Sequence, residues 1–339
     1  MSRTRVVMLS AVAMVGACVA PVAAQDSQSG SGTGSGSAQN AALPDEITPS
    51  MDGAVQRGLA ELASQQLEDG SFGSGRYARN VAITSLACLA FMADGNVPGR
   101  GEYGDAVQRG LEYILANCNE NGLIAAEAAN GPMYGHGFAA LFLGEVYGMT
   151  AGGGDTDLAD RVYESLTRAC RLIERTQNDQ GGWRYNPVPY DADVSVTICQ
   201  IMALRSARNA GLEIDKKVID RAVEYVRLCR NQDGGFKYQL EGGASAWPRS
   251  AAGVASLYYA GIYEDDAIDR GVRYLNQTAL PGRSRASRAH YFYGHYYAAQ
   301  AMFLAGGEAW GTWWAAIRNE LLATQNADGA REDRRVGPA

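Results

Sequence analysis

Gln177-Asn178-Asp179-Gln180-Gly181-Gly182-Trp183 is a polar, turn-forming stretch between two helix-patterned segments, and it recurs along the chain. Gln66-Leu67-Glu68-Asp69-Gly70-Ser71-Phe72, Asn231-Gln232-Asp233-Gly234-Gly235-Phe236 and Gln325-Asn326-Ala327-Asp328-Gly329 share its plan, and an irregular copy surrounds Pro281-Gly282. The register is constant, because thirteen residues on from Arg57, Arg109, Arg168 and Arg221 stand Gly70, Gly122, Gly181 and Gly234. Val55-Gln56-Arg57-Gly58-Leu59 returns as Val107-Gln108-Arg109-Gly110-Leu111, with looser echoes at Ile219-Asp220-Arg221 and Ile268-Asp269-Arg270. Self-similarity at a period of roughly fifty residues marks a repeat architecture.

Ahead of each turn the apolar residues follow a helical stripe, as in Val223, Val226, Leu228 and Cys229. Glycine closes that helix, because a left-handed residue is cheap for glycine alone. Behind each turn a second helix is expected, near 81–92, 138–146, 194–204, 251–259 and 298–304, apolar on most faces. A helix apolar all round is a buried one, so these form an inner layer and the striped helices an outer one. Strand signals are nearly absent. The expected fold is all-α, a toroid of about six helix hairpins in which each pair buries its faces against its neighbours. After the sixth outer helix, at 310–324, only a short tail with Arg331, Glu332, Asp333, Arg334 and Arg335 follows. It is too short and too charged to be buried. The last inner helix is therefore expected to be missing, which opens a seam to a protein partner between the first and fifth inner helices. A chain shortened from a longer product gives the same pattern.

The 339 residues are 46% apolar and carry 41 glycines, a globular composition rich in tight turns. A net charge of −7 offers no footprint for nucleic acid. The apolar run 6–19 is too short to span a membrane. With Arg3 and Arg5 before it and Val22-Ala23-Ala24 after it, residues 1–24 have the layout of a secretory signal, giving an exported, periplasmic or extracellular protein. Val15-Gly16-Ala17-Cys18 offers a lipid-anchored alternative through Cys18. Residues 25–45 form a Gly/Ser-rich linker, and 46–339 the toroid domain. Cys88, Cys118, Cys170, Cys199 and Cys229 fall inside apolar helical patterns without any Cys-x-x-Cys pair, and are expected as buried thiols. Neither a metal nor a cofactor is expected.

The Gln-x-x-Asp-Gly-x-aromatic turn of Gln66 to Phe72, and its variant at Gln177 to Trp183 with Gln180 in place of the acid, resembles the repeat of squalene cyclases and protein prenyltransferase β subunits. The resemblance covers nearly all of the chain after residue 46. It implies an α/α toroid whose inner helices surround a cavity, and it implies little about chemistry, since the turn stitches repeats together. In the cyclases that protonate an alkene, the resemblance points to an Asp-x-Asp-Asp sequence whose middle carboxyl is the acid. Asp191-Ala192-Asp193-Val194 departs from that pattern at Val194, so Asp193 lacks a paired acid. The plainer role for Asp191 or Asp193 is to cap the following helix. Gly294-His295-Tyr296-Tyr297 resembles the position of the prenyltransferase zinc histidine, but no Asp-x-Cys occurs to complete that site.

Two matching contexts, Tyr134-Gly135-His136 and Tyr293-Gly294-His295, open inner helices. With Asn80, Asp193 and Arg249 they are expected at one end of the inner barrel, a polar rim over a cavity that Tyr293 and Tyr297 help to line. Histidine titrates near neutrality, which suits ligand binding or proton transfer. His136 has a plain alternative as a helix-start residue inherited from the repeat. The expected function is binding of an apolar lipid, isoprenoid or glycan ligand, or of a partner. The alternative is an isoprenoid cyclase-like or carbohydrate-active enzyme with Asp193 as acid, Asp191 and His295 being the other catalytic candidates.

Overall fold

The computed structural model describes residues 47–126, 131–150, 156–282 and 290–331. The expected signal segment 1–24, Cys18, the linker 25–45 and the tail beyond Arg331 lie outside the described residues. Six outer helices are present: α1 (Pro49–Ser64), α3 (Gly104–Ala116), α5 (Thr156–Arg175), α7 (Lys216–Leu228), α9 (Asp266–Thr278) and α11 (Gly307–Thr324). They alternate with five inner helices: α2 (Val81–Ala93), α4 (Met133–Thr150), α6 (Val194–Asn209), α8 (Trp247–Tyr259) and α10 (Tyr291–Ala305). Among the described residues there is no strand, only isolated bridges within the turns, such as Cys118 with Ile124 and Arg230 with Phe236.

The turn sequence explains how the hairpins join. Asp69 accepts hydrogen bonds from the backbone N–H and hydroxyl of Ser71, and Asp233 and Asp328 likewise hold the N–H groups of Gly235 and Ala330. The glycine of each turn then abuts the carbonyl of an arginine. Gly70 meets Arg109, Gly122 meets Arg168, Gly181 meets Arg221, Gly234 meets Arg270 and Gly329 meets Arg57, so closely that a Cβ would lie 2.2 to 2.7 Å from the carbonyl oxygen. Each glycine thus pairs with the arginine of the next outer helix, although the sequence register ties it to the arginine thirteen residues before it. Glutamine completes the stitch. Gln66 Nε2 donates to Gly70 O and Ala106 O, and Gln177 Nε2 to Gly181 O and Val218 O. Gln325 Nε2 donates to Gly329 O and, across the ring, to Ala54 O of α1. The sixth turn docks on the first outer helix, and the outer ring closes.

Inside, α2, α4, α6, α8 and α10 pack in succession, whereas α10 and α2 do not pack as neighbours. Among the described residues no inner helix follows α11, so the wall has five staves inside a ring of six. Three inner helices begin earlier than the sequence pattern indicates, α4 at Met133, α8 at Trp247 and α10 at Tyr291. Gly135, Gly137, Pro248 and Gly294 are poor helix formers and hide these first turns from a propensity argument. Tertiary packing overrides them: a Cβ on Gly294 would meet the Trp247 ring at 2.0 Å, so the two helices approach to a distance that only glycine allows. Cys88, Cys170, Cys199 and Cys229 are buried and Cys118 half-buried, all as free thiols.

Closure gives a measurable expectation. Gln325→Ala removes the two bonds that tie the last turn to α1, the one its Nε2 donates to Ala54 O and the one its Oε1 accepts from Arg57 Nη2, at about 1–2 kcal/mol. Amide exchange should accelerate in α1 and α11 while α6 stays protected. Uniform acceleration, or none, would mean that the ring is held shut elsewhere.

Candidate functional site

A cavity of about 800 Å³ opens at the N-terminal ends of α4, α6, α8 and α10. Six aromatic side chains line it: Tyr134, Tyr185, Tyr238, Trp247, Tyr274 and Tyr293. Tyr185 and Tyr238 stand two residues past the turn aromatics Trp183 and Phe236, in equivalent positions of neighbouring repeats. The turn aromatics are fully buried and fixed by the inner helix, since Trp183 N–H donates to Thr197 Oγ1 at 3.1 Å and Phe236 N–H to Ser250 Oγ at 2.8 Å. Ser195, on the first turn of α6, and Arg249, on the first turn of α8, add polar groups to the lining.

Asp193 is fully buried as the N-cap of α6 and lies behind the tyrosines. Its Oδ1 accepts from Val196 N–H at 2.9 Å, and its Oδ2 accepts from the Tyr238 hydroxyl at 3.0 Å with Arg184 Nε at 3.6 Å. Burial raises its pKa to about 6, against the lowering effects of the Val196 N–H, Tyr238 and Arg184. Tyr238 in turn hydrogen-bonds the Tyr185 hydroxyl. Burial also raises the pKa of Tyr238, so this hydroxyl stays neutral and can donate. Asp191, half-exposed, pairs with Arg184, whose guanidinium stacks 5.1 Å from the Tyr185 ring centre and 5.9 Å from that of Tyr238. Arg184 therefore balances two carboxylates and braces two walls of the cavity.

The other expected site residues separate. Arg249 and Tyr293 are on the cavity wall. Tyr297 is fully buried, its hydroxyl 3.3 Å from Cys199 Sγ. His295 lies among Trp247, Tyr291 and Trp313, with ring centres at 4.8, 4.4 and 5.9 Å. Asn80 caps α2 through the Ile83 N–H and is not on the cavity wall. His136 is a latch between turn and helix: its Nδ1 accepts the Ile124 N–H at 3.1 Å, as Thr84, Thr197 and Ser250 accept those of Phe72, Trp183 and Phe236. Burial lowers its pKa to about 4, which keeps the ring neutral. Of the five inner-helix start residues expected on one rim, Arg249 lines the cavity, whereas Asn80 and Asp193 cap their helices, His136 faces the outer turn and His295 lies in the aromatic cluster.

The sequence reading missed Tyr134, Tyr185, Tyr238, Trp247 and Tyr274. For Tyr185 and Tyr238 a signal existed in their equal spacing from the turn aromatic.

Three solved structures show what this chain is similar to. A type II terpene cyclase from Scytonema, in its apo form, matches with a TM-score of 0.53 at 14% identity over 83% of this chain and 80% of that chain. A protein from Actinoplanes matches with a TM-score of 0.49 at 11% identity over 89% and 92% of the two chains. A glycosidase in complex with glucose matches with a TM-score of 0.47 at 14% identity, over 80% of each. The likeness to the first of these is one of fold, an α/α toroid. No protein-family model matches the chain, and no curated protein matches it in sequence.

Proposed function

We propose that this chain is an exported α/α-toroid binding protein that holds an apolar, isoprenoid-like ligand in the cavity at the inner-helix N-termini. One observation carries the reading: a cavity of about 800 Å³ lined by six aromatic rings, in the size and character range of small-molecule sites. Ser195, Ser245, Thr278 and the tyrosines bring hydroxyls to the lining, and among the described residues no carboxylate or carboxamide is in it. A glycan would find stacking surfaces there but few fixed acceptors for its hydroxyls. Export rests on the layout of residues 1–24, and a partner at the seam on the five-stave inner wall.

Native mass spectrometry of the protein from its producing cell should find a co-purifying lipid. Titration with farnesol should quench Trp247 fluorescence, and Trp247→Phe should abolish that component. The absence of both a bound mass and quenching would count against a ligand cavity.

Acid catalysis by Asp193 is the second reading, favoured by its raised pKa and by the hydroxyls of Tyr238 and Tyr185 between it and the cavity. Against it, both carboxyl oxygens are already engaged, Oδ1 by the helix and Oδ2 by Tyr238 and Arg184.

A further inference from the structure

We infer that the ligand of this cavity is an apolar monocarboxylic acid, its carboxylate received by Arg249 and its hydrocarbon body by the aromatic wall. The inference rests on the ligand-binding reading and specifies its chemistry. Among the described residues, Arg249 is the one permanently charged side chain in the lining. Its Nε donates to Phe236 O at 3.0 Å and its Nη2 to Ala244 O, so the guanidinium is held in place by backbone carbonyls. Those two bonds use two of its five N–H groups and neutralise no charge. Among the described residues no carboxylate lies within ion-pair distance of Arg249.

The carboxylates nearby are committed elsewhere. Asp233 accepts from the Gly235 N–H and the Ser245 hydroxyl, and Asp193 and Asp191 answer Arg184. Arg184 is thus balanced and Arg249 is not. The position of Arg249 sharpens the point. It is in the first turn of α8, where the positive end of the helix dipole opposes a cation. The N-cap of that helix is Ala246, whose side chain cannot cap, whereas α2 and α6 are capped by Asn80 and Asp193. A rigid, unbalanced guanidinium beside an uncapped helix start is complementary to an anion.

The charge count selects the kind of anion. A phosphate monoester carries about −1.5 to −2 at neutral pH, and among the described residues the lining offers one fixed positive charge to meet it, Arg249, together with the His290 imidazole. A carboxylate carries one negative charge and matches the planar fork of arginine. Trp247, directly before Pro248 and Arg249, and Tyr293 continue the wall away from the guanidinium, which sets the apolar body of the ligand against rings.

Farnesoic acid, farnesol and farnesyl monophosphate, which share one hydrocarbon, test this by isothermal calorimetry at fixed salt. The wild-type protein should bind the acid at least tenfold more tightly than the alcohol, and more tightly than the phosphate. Arg249→Gln should erase the preference for the acid, lowering affinity for the acid at least tenfold more than affinity for farnesol, whose remaining binding reports an intact cavity. Arg249→Lys should keep most of the preference. Equal affinity of the wild type for acid and alcohol, or an equal loss for both on Arg249→Gln, overturns the carboxylate inference and leaves the cavity reading standing. Tightest binding of the phosphate overturns the choice of anion. Binding of none of the three overturns both readings.

Discussion

Gly181→Ala is expected to lower stability by about 3–5 kcal/mol, and Gly211→Ala by about 1–2. Both glycines have a φ of +97°, so both substitutions force alanine into the left-handed region at the same backbone cost. They differ in what surrounds them. A Cβ on Gly181 would sit 2.3 Å from Arg221 O and 2.8 Å from Arg221 C, a backbone that cannot move without shifting α7, while a Cβ on Gly211 would meet nothing within 4 Å. The excess at Gly181 isolates the close approach between repeats from the conformational preference of glycine. Urea unfolding of the two variants with unchanged m-values measures it. Equal losses would mean that the turn does not bind the next helix, and the account of how the ring is stitched would fall.

Asp193→Asn should change how stability depends on pH. The folded pKa of about 6 lies above the usual carboxyl value, so the folded protein holds this proton more tightly than the unfolded chain does. The sign follows: the contribution is favourable while Asp193 is protonated and is lost as pH rises from about 4 through 6. A shift of roughly two pH units corresponds to about 3 kcal/mol. The stability of the wild type relative to the variant should fall by about 2–3 kcal/mol between pH 4 and pH 7, other groups cancelling in the difference. Asparagine still offers an oxygen to the Val196 N–H, so the helix stays capped. A difference that is flat, or that rises with pH, would show that Asp193 is not strained by burial and would weaken the acid role as well.

Trp247 illustrates what a sequence cannot reveal. It precedes a proline and resembles the start of any helix, yet its ring lies over Gly294 and beside His295, two residues of a different inner helix. His136 and His295 illustrate a different failure. Their Tyr-Gly-His contexts match, yet the His136 ring meets the Ile124 N–H of a turn and the His295 ring lies among Trp247, Tyr291 and Trp313. The surroundings come from other repeats, which a matched local context does not specify.

The sequence by itself determined the all-helical toroid, the alternation of striped outer with apolar inner helices, and the five-to-six mismatch. These follow from local rules, since a glycine marks a left-handed turn and an apolar periodicity marks a buried face wherever the chain goes. Tertiary structure alone decided that each turn glycine pairs with the next arginine, that Gln325 closes the ring on Ala54, and that Tyr185 and Tyr238 screen Asp193 from the cavity. Among the described residues it also left Arg249 without a counter-charge. The physical reason is distance along the chain: contacts between repeats depend on helix rotation and interaxial approach, which the volumes of side chains on two different helices fix together.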